Sequence, residues 1–267
     1  MATADRPPNP EDRPSNARMY DYFLGGYHNF AVDREAAERI LTVEPDFALI
    51  LRANRAFLRR AVAFAVDAGI RQFLDLGAGI PTVGSVHEVA QLMDPATRVV
   101  YVDIDPIATV LSRDILAGNQ CAVAIQSNAA QPAALLRHPD VQRILDLREP
   151  VAVLLVAFLH LVADDEEAVR VVRHLRDAIA PGSYLVITHG TDDFSPERSA
   201  KTATVFNRAT TPVRLRSREQ VLRYFEGFEL VEPGIVPTPS WRPESEDDLF
   251  VTEPERAQAF AGVGFKP

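Results

Sequence analysis

The chain has 267 residues, 47% of them apolar, with a formal net charge of −9 and one cysteine. That length and apolar content support one large α/β domain with its own core. The negative balance excludes a bulk electrostatic grip on nucleic acid or an anionic membrane. The lone Cys121 excludes an intrachain disulfide framework and a cysteine-rich metal site, and it suits a reducing cytoplasm.

Residues 1–14 are polar and Pro-rich and read as a disordered tail rather than a signal peptide. Residues 17–24 (ARMYDYFL) read as a short aromatic helix stopped by Gly25-Gly26, with a loop over 27–30. Asp33 is expected to cap a helix through Leu41, with Ala36, Ala37 and Ile40 on one face. Pro45 breaks that helix, Asp46 is expected to cap the next over 47–68, and Gly69 ends it. Residues 15–69 thus form an N-terminal helical cover ahead of a sheet-bearing unit over 70–267. No apolar run approaches membrane-spanning length.

The run FLDL (73–76) reads as a buried strand leading into Gly77-Ala78-Gly79, where two residues without Cβ let the backbone bend sharply and approach a ligand. Ser85 and Glu88 have capping-box spacing and open a helix. By itself this unit is also an ordinary tight strand-to-helix connection. RVVYV (98–102) is a second strand, ending in Asp103-Ile104-Asp105-Pro106, with a helix over 107–117. CAVAI (121–125) is a third, ending in Gln126-Ser127-Asn128-Ala129. VAVLLVA (151–157) is the fourth, followed by a helix over 164–180, and YLVIT (184–188) is the fifth. This alternation predicts parallel βαβ units. Past residue 192 a polar, partly helical segment runs to 211, and a helix covers 218–225. Strands over 228–236 and 259–265 then follow with no helix between them, so they pair antiparallel. The prediction is an α/β, Rossmann-like three-layer sandwich with a seven-stranded mixed sheet, its last strand antiparallel.

In open α/β sheets the ligand sits outside the carboxyl ends of the strands. The first strand offers Asp75, Gly77, Ala78 and Gly79 there. The second offers Asp103, whose carboxylate can accept from both hydroxyls of a ribose, and Ile104, which can cover one face of an adenine. The third offers Asn128 and Ala129; Asn128 can bond an adenine edge or, as a turn residue, its own backbone. The fourth offers Ala157, Phe158 and His160. His160 is a general-base candidate because its ordinary pKa lies near neutrality, although a hydrogen-bonded structural histidine is the favoured reading. Tyr20, Tyr22 and Asn29 are candidates to fold over a cofactor, or else part of a hydrophobic latch. His189 with Asp192-Asp193 lacks the ligand count and spacing of a metal site, so no metal is expected. Thr82 occupies the third glycine position of G-x-G-x-x-G, which argues against a dinucleotide.

FLDLGAGIPTVGSVHEVAQ followed by VVYVDIDP, with Asp75 two before Gly77, resembles the cofactor-binding half of class I S-adenosylmethionine (SAM) methyltransferases. ARMYDYFLGGYHNFAVDR, LLVAFLHLVADDEEA, YLVITHGTDD and LRSREQVLRYFEGFELVEPGIV narrow the resemblance to the actinobacterial S-adenosyl methyltransferase family of unassigned substrate. It covers nearly the whole chain after Pro14. It implies SAM as cofactor, a Rossmann-like sheet, an N-terminal helical cover, and transfer of a methyl group to a small-molecule acceptor. At Asn128 the family pattern has an acidic residue. Two other readings stay open: a SAM-binding sensor without methyl transfer, and an NAD(P)-dependent oxidoreductase, which Thr82 and Asp75 disfavour.

Overall fold

Apolar runs separated by amphipathic helices leave each central strand too hydrophobic for an exposed face, so these strands lie parallel and are covered on both sides. The computed structural model describes residues 12–209 and 212–267; residues 1–11 of the expected tail lie outside these. Strands β1 (Gln72–Leu76), β2 (Arg98–Asp103), β3 (Ala122–Gln126), β4 (Ala152–Val156) and β5 (Tyr184–Gly190) run in the order β3-β2-β1-β4-β5. All their pairings are parallel. The order reverses between β1 and β4, the switch point where such sheets open a crevice.

The late strand expected over 228–236 is two short ones, β6 (Glu229–Leu230) and β7 (Val236–Pro237). Pro233 removes a ladder donor, and Gly234, at φ +83°, bends the chain between them. Both pair antiparallel with β8 (Ala259–Phe265), which itself lies antiparallel beside β5. The described residues therefore make an open sheet of eight strands rather than seven, with its last strand antiparallel as expected.

The helices are α1 (Asn16–Phe23), α2 (Ala31–Val43), α3 (Phe47–Asp67), α4 (Val86–Met93), α5 (Pro106–Ile115), α6 (Pro132–Leu135), α7 (Pro139–Ile144), α8 (Asp165–Ala178), α9 (Pro196–Ala209) and α10 (Arg218–Leu222). Successive strand residues face opposite sides. Phe73, Val99 and Tyr101 pack with Phe57 and Ala61 of α3 and Val86 of α4. Leu74, Val100 and Val102 pack with Val141 of α7 and Val172 and Leu175 of α8. Helix α3, placed in the cover by its sequence position, is thus a layer of the sandwich. A smaller cluster joins Met19 and Phe23 of α1 to Ala36, Ala37 and Ile40 of α2, with Phe206 of α9 against it. No helix among the described residues is long and apolar enough to cross a membrane.

The polar residues of the aromatic N-terminal motif build this cover. Asp33 is the third residue of α2, not its cap. It accepts from the N–H groups of Ser15 and Phe30 and from Arg18 Nε at 2.7 Å. Asp21 accepts from His28 N–H and Asn29 Nδ2. A Cβ on Gly26 would lie 2.0 Å from Asp21 Oδ1, so only glycine lets that loop close. Glu44 is fully buried and pairs with Arg198 of α9 and with Gln258. Asp46 does not cap α3 through its side chain; it bonds Arg198 and Arg256. These pairs fasten α9 across the α2–α3 junction.

Candidate active site

A cleft of about 430 Å³ lies at the switch point, lined by the carboxyl ends of β1 to β4, by α1 and by α3. Gly77 and Gly79 form its floor at φ +70° and +63°, the left-handed region that side chains resist. Gly77 and Ala78 both donate their N–H to Val102 O, which staples the turn to β2. A Cβ on Gly77 would lie 2.4 Å from the Phe158 ring, so the turn and the end of β4 interlock only through a glycine.

Asp103 holds this floor from the side. Its Oδ2 accepts from Gly79 N–H at 2.7 Å and its Oδ1 from Asp105 N–H at 2.9 Å. Each oxygen keeps a further lone pair for a ligand hydroxyl. Burial raises the Asp103 pKa and the two amides oppose the rise. Asp75 lies on the face of β1 turned to α3, and burial pushes its carboxyl up to about 7, with Arg55 opposing. Arg55 also lines the cleft, and its Nε is buried without a hydrogen-bond partner. Ile104 lines the cleft and is 65% exposed, an apolar surface available to a flat ligand.

Asn128 and Ala129 also line the cleft. Asn128 Oδ1 accepts from Ala130 N–H at 2.9 Å, the bond of a turn residue to its own backbone. Its Nδ2 makes no hydrogen bond among the described residues. If that group bonds an adenine edge, Asn128→Ala weakens SAM binding about fivefold, the worth of one net neutral hydrogen bond. Unchanged affinity by titration calorimetry would leave Asn128 with the turn alone.

Ala157 lines the cleft at φ +57°, which a residue with a Cβ rarely adopts. Its N–H donates to Thr188 Oγ1 at 2.9 Å. Of the three candidates from the cover, the structure brings only Tyr20 to the cleft. Tyr22 Oη bonds Glu38, and Asn29 is engaged with Asp21 and Gly26 O. Arg13, Pro14, Ser15, Asn16 and Arg18 line the cleft instead. Ser15 Oγ donates to Asp105, the residue that caps α5 through the N–H groups of Ile107 and Ala108. Arg13 and Pro14 had read as tail, because nothing in PEDRPSN marks where packing begins. Arg55 was missed because only the docking of α3 on the sheet sets it near Asp75.

A second chamber, of about 170 Å³, adjoins the cleft and shares Asn16, Tyr20, Ala157 and Leu161 with it. His160 lies in its wall, with Nδ1 buried and unpartnered. Burial, and then the Arg216 guanidinium, push the His160 pKa down to about 4, so the ring is neutral at physiological pH and a weak base. His189 is structural. Arg216 Nη1 can only donate, and it lies 3.1 Å from His189 Nε2, so the His189 Nδ1–H donates to Gly190 O at 2.8 Å. Among the described residues no group of three or more His, Cys, Asp or Glu could hold a metal ion.

The family model described as S-adenosyl methyltransferase matches residues 5–267. The chain is similar to a provisionally assigned methyltransferase of Thermobifida fusca YX with a crystal structure, at 41% identity over 98% of this chain and 99% of that one, with a TM-score of 0.90. It is also similar to a duf574 family protein from Streptomyces avermitilis MA-4680, at 38% identity over 96% of this chain and 99% of that one, with a TM-score of 0.91. No curated protein matches. With a glycine turn and two carboxylates at the switch point of a Rossmann-like sheet, and a family match over almost its whole length, the chain belongs to the S-adenosyl methyltransferase family and is a SAM-dependent methyltransferase.

Proposed function

We propose that the cleft holds SAM and that the adjoining chamber holds a small-molecule methyl acceptor. The observation that carries this reading is the shared wall: Asn16, Tyr20, Ala157 and Leu161 border both spaces, so a group at the end of one meets a group at the end of the other. A cytoplasmic location accords with the single Cys121.

The residues of the cleft fit the cofactor's parts. Gly77 and Gly79 admit close backbone approach. Asp103 has lone pairs for the ribose hydroxyls, Ile104 and Ala129 offer apolar surface to the adenine, and Asn128 sits at its edge. Asp75 offers a carboxylate to a cation. When bound, SAM supplies an electrophilic methyl carbon on a positively charged sulfur. The chain's own task is to aim the acceptor and exclude water, and positioning carries much of such a displacement. His160 can take a hydrogen bond from an acceptor, but at a pKa of about 4 it does not keep a second proton at neutral pH.

Asp75 gives a pH test. Its carboxyl titrates near 7 in the free protein. A cation bound beside it favours the ionised form and lowers that pKa. SAM affinity therefore rises from pH 5.5 to 7 by up to about tenfold per unit, one proton being released on binding, and levels off above 7. In the free protein the same raised pKa makes stability fall with rising pH: the fold is favoured most below the unfolded value of 3.8, and that advantage is lost as pH rises through about 7, where the buried carboxyl ionises. Calorimetry at pH 6 in two buffers of different ionisation heat reads the proton directly. Identical heats in both would remove Asp75 from the cation's surroundings, and Asp75→Asn is expected to flatten the profile.

Methyl transfer itself is tested by incubating the protein and SAM with a metabolite pool and assaying S-adenosylhomocysteine. Bound SAM that is never turned over would return the sensor reading.

A further inference from the structure

We infer that the chamber beside the cleft takes an uncharged, one-ring aromatic molecule bearing a hydroxyl, and that this hydroxyl is the methyl acceptor; the second half rests on the function proposed above. Size comes first. An apolar cavity of about 150 Å³ has room for one benzene ring, and this chamber measures about 170 Å³. Charge comes second. No Asp, Glu, Lys or Arg is among the lining residues, so a carboxylate, ammonium or phosphate would be buried without a counter-charge. Third, Phe23, Phe47 and Phe206 stand in the wall, with Phe23 and Phe47 edge to face at 5.0 Å, a surface suited to another ring.

The hydrogen-bonding inventory supplies the hydroxyl. Tyr20 Oη donates its one proton to Leu51 O, so toward Asn54 it can only accept, and Asn54 Nδ2 donates to it at 3.0 Å. That fixes the Asn54 amide: its carbonyl Oδ1 is buried without a partner, and Asn54 lines the chamber. Asn16 Oδ1 is buried and unpartnered too, and Asn16 lies on the wall shared with the cleft. Amide oxygens only accept, so what is missing is a donor, and leaving both bare is unfavourable. Among the described residues no other hydroxyl of the chamber donates to either amide oxygen. Thr188 accepts from Ala157 N–H, Thr202 donates to Arg198 O, and Ser199 donates to Thr191 O. A ring hydroxyl at the shared wall satisfies Asn16 and faces the cleft. Its methylation forms a C–O bond and breaks a C–S bond whose electron pair stays on sulfur. The hydroxyl proton is released to water.

The test is a ligand-observed NMR titration of the full chain, without cofactor, using phenol, toluene and benzoate. Phenol is expected to bind about fivefold or more tighter than toluene, the gain from one net hydrogen bond. Benzoate is expected not to saturate the chamber. Asn16→Leu and Asn54→Leu should each shift the preference toward toluene. Toluene binding as tightly as phenol, or benzoate binding as tightly as phenol, overturns the inference. If either variant loses its circular dichroism, the ligand order in the unaltered protein decides alone. Anisole formation from phenol and SAM is scored separately. Turnover of SAM on other acceptors with none on bound phenol overturns the acceptor half. Phenol binding with no methyl transfer to any acceptor defeats the function proposed above and leaves the binding half standing.

Discussion

Gly79→Val should weaken SAM binding by about a hundredfold or more, equivalent to ~2.7 kcal/mol, while the far-ultraviolet circular dichroism stays close to that of the unaltered protein. The reason is local. A Cβ at Gly79 would stand 3.6 Å from Ala17, ordinary contact, so the protein itself has room for it. The backbone there sits at φ +63°, which a β-branched residue adopts only under strain, and the new methyl groups project where the ligand must approach. Relief of the strain would also pull Gly79 N–H away from Asp103. Unchanged affinity in a folded variant would remove the turn from the site. Gly77→Val is the less clean experiment, because its Cβ would collide with Phe158 inside the protein.

Asp103→Ala should cost at least a decade of SAM affinity. Charge-assisted hydrogen bonds are worth about 1.5–3 kcal/mol each, and 1.4 kcal/mol is one decade. The carboxylate also anchors the N–H groups of Gly79 and Asp105, so alanine loosens the floor of the cleft as well as removing a ligand contact. Asp103→Asn separates the two roles. It keeps one carbonyl oxygen for an amide but no charge, and it should fall between alanine and the unaltered protein. A loss below twofold for the alanine variant, with the fold intact, would reduce Asp103 to a structural acceptor.

The parallel half of the sheet was legible because strand and helix alternate with few interruptions, and the strand ends could be read from where VVYV or VAVLLVA stops. Asp75, Gly77, Ala78, Gly79, Asp103, Ile104, Asn128, Ala129, Ala157 and Phe158 come together because each lies at a strand end, a position that topology alone fixes. The cover was harder. Asn29 stands among aromatics and reads as a ligand contact, yet Asp21, Asn29 and Asp33 spend their bonds on one another's loops and on Arg18. Helix periodicity says which face is apolar but not what it meets, so neither the arrival of Arg55 at Asp75 nor that of Asn54 in the chamber could be read in advance. The late strand split for a readable reason, Pro233-Gly234, that an apolar count over 228–236 passes over.

Strand β8 has a consequence for how the enzyme comes into being. It pairs with β5 along the whole of that strand, from Tyr184↔Phe265 to Gly190↔Ala259. Residues 259–265 are therefore needed before β5 is paired on its outer side, and until they leave the ribosome that flank shows a row of bare N–H and C=O groups. Such a row is a template for other nascent chains. The same late stretch carries Ala257, Gln258 and Ala259 into the chamber wall, and with them one of the two partners of buried Glu44. During synthesis the cleft can be laid down first, and the adjoining chamber is finished only when β8 arrives.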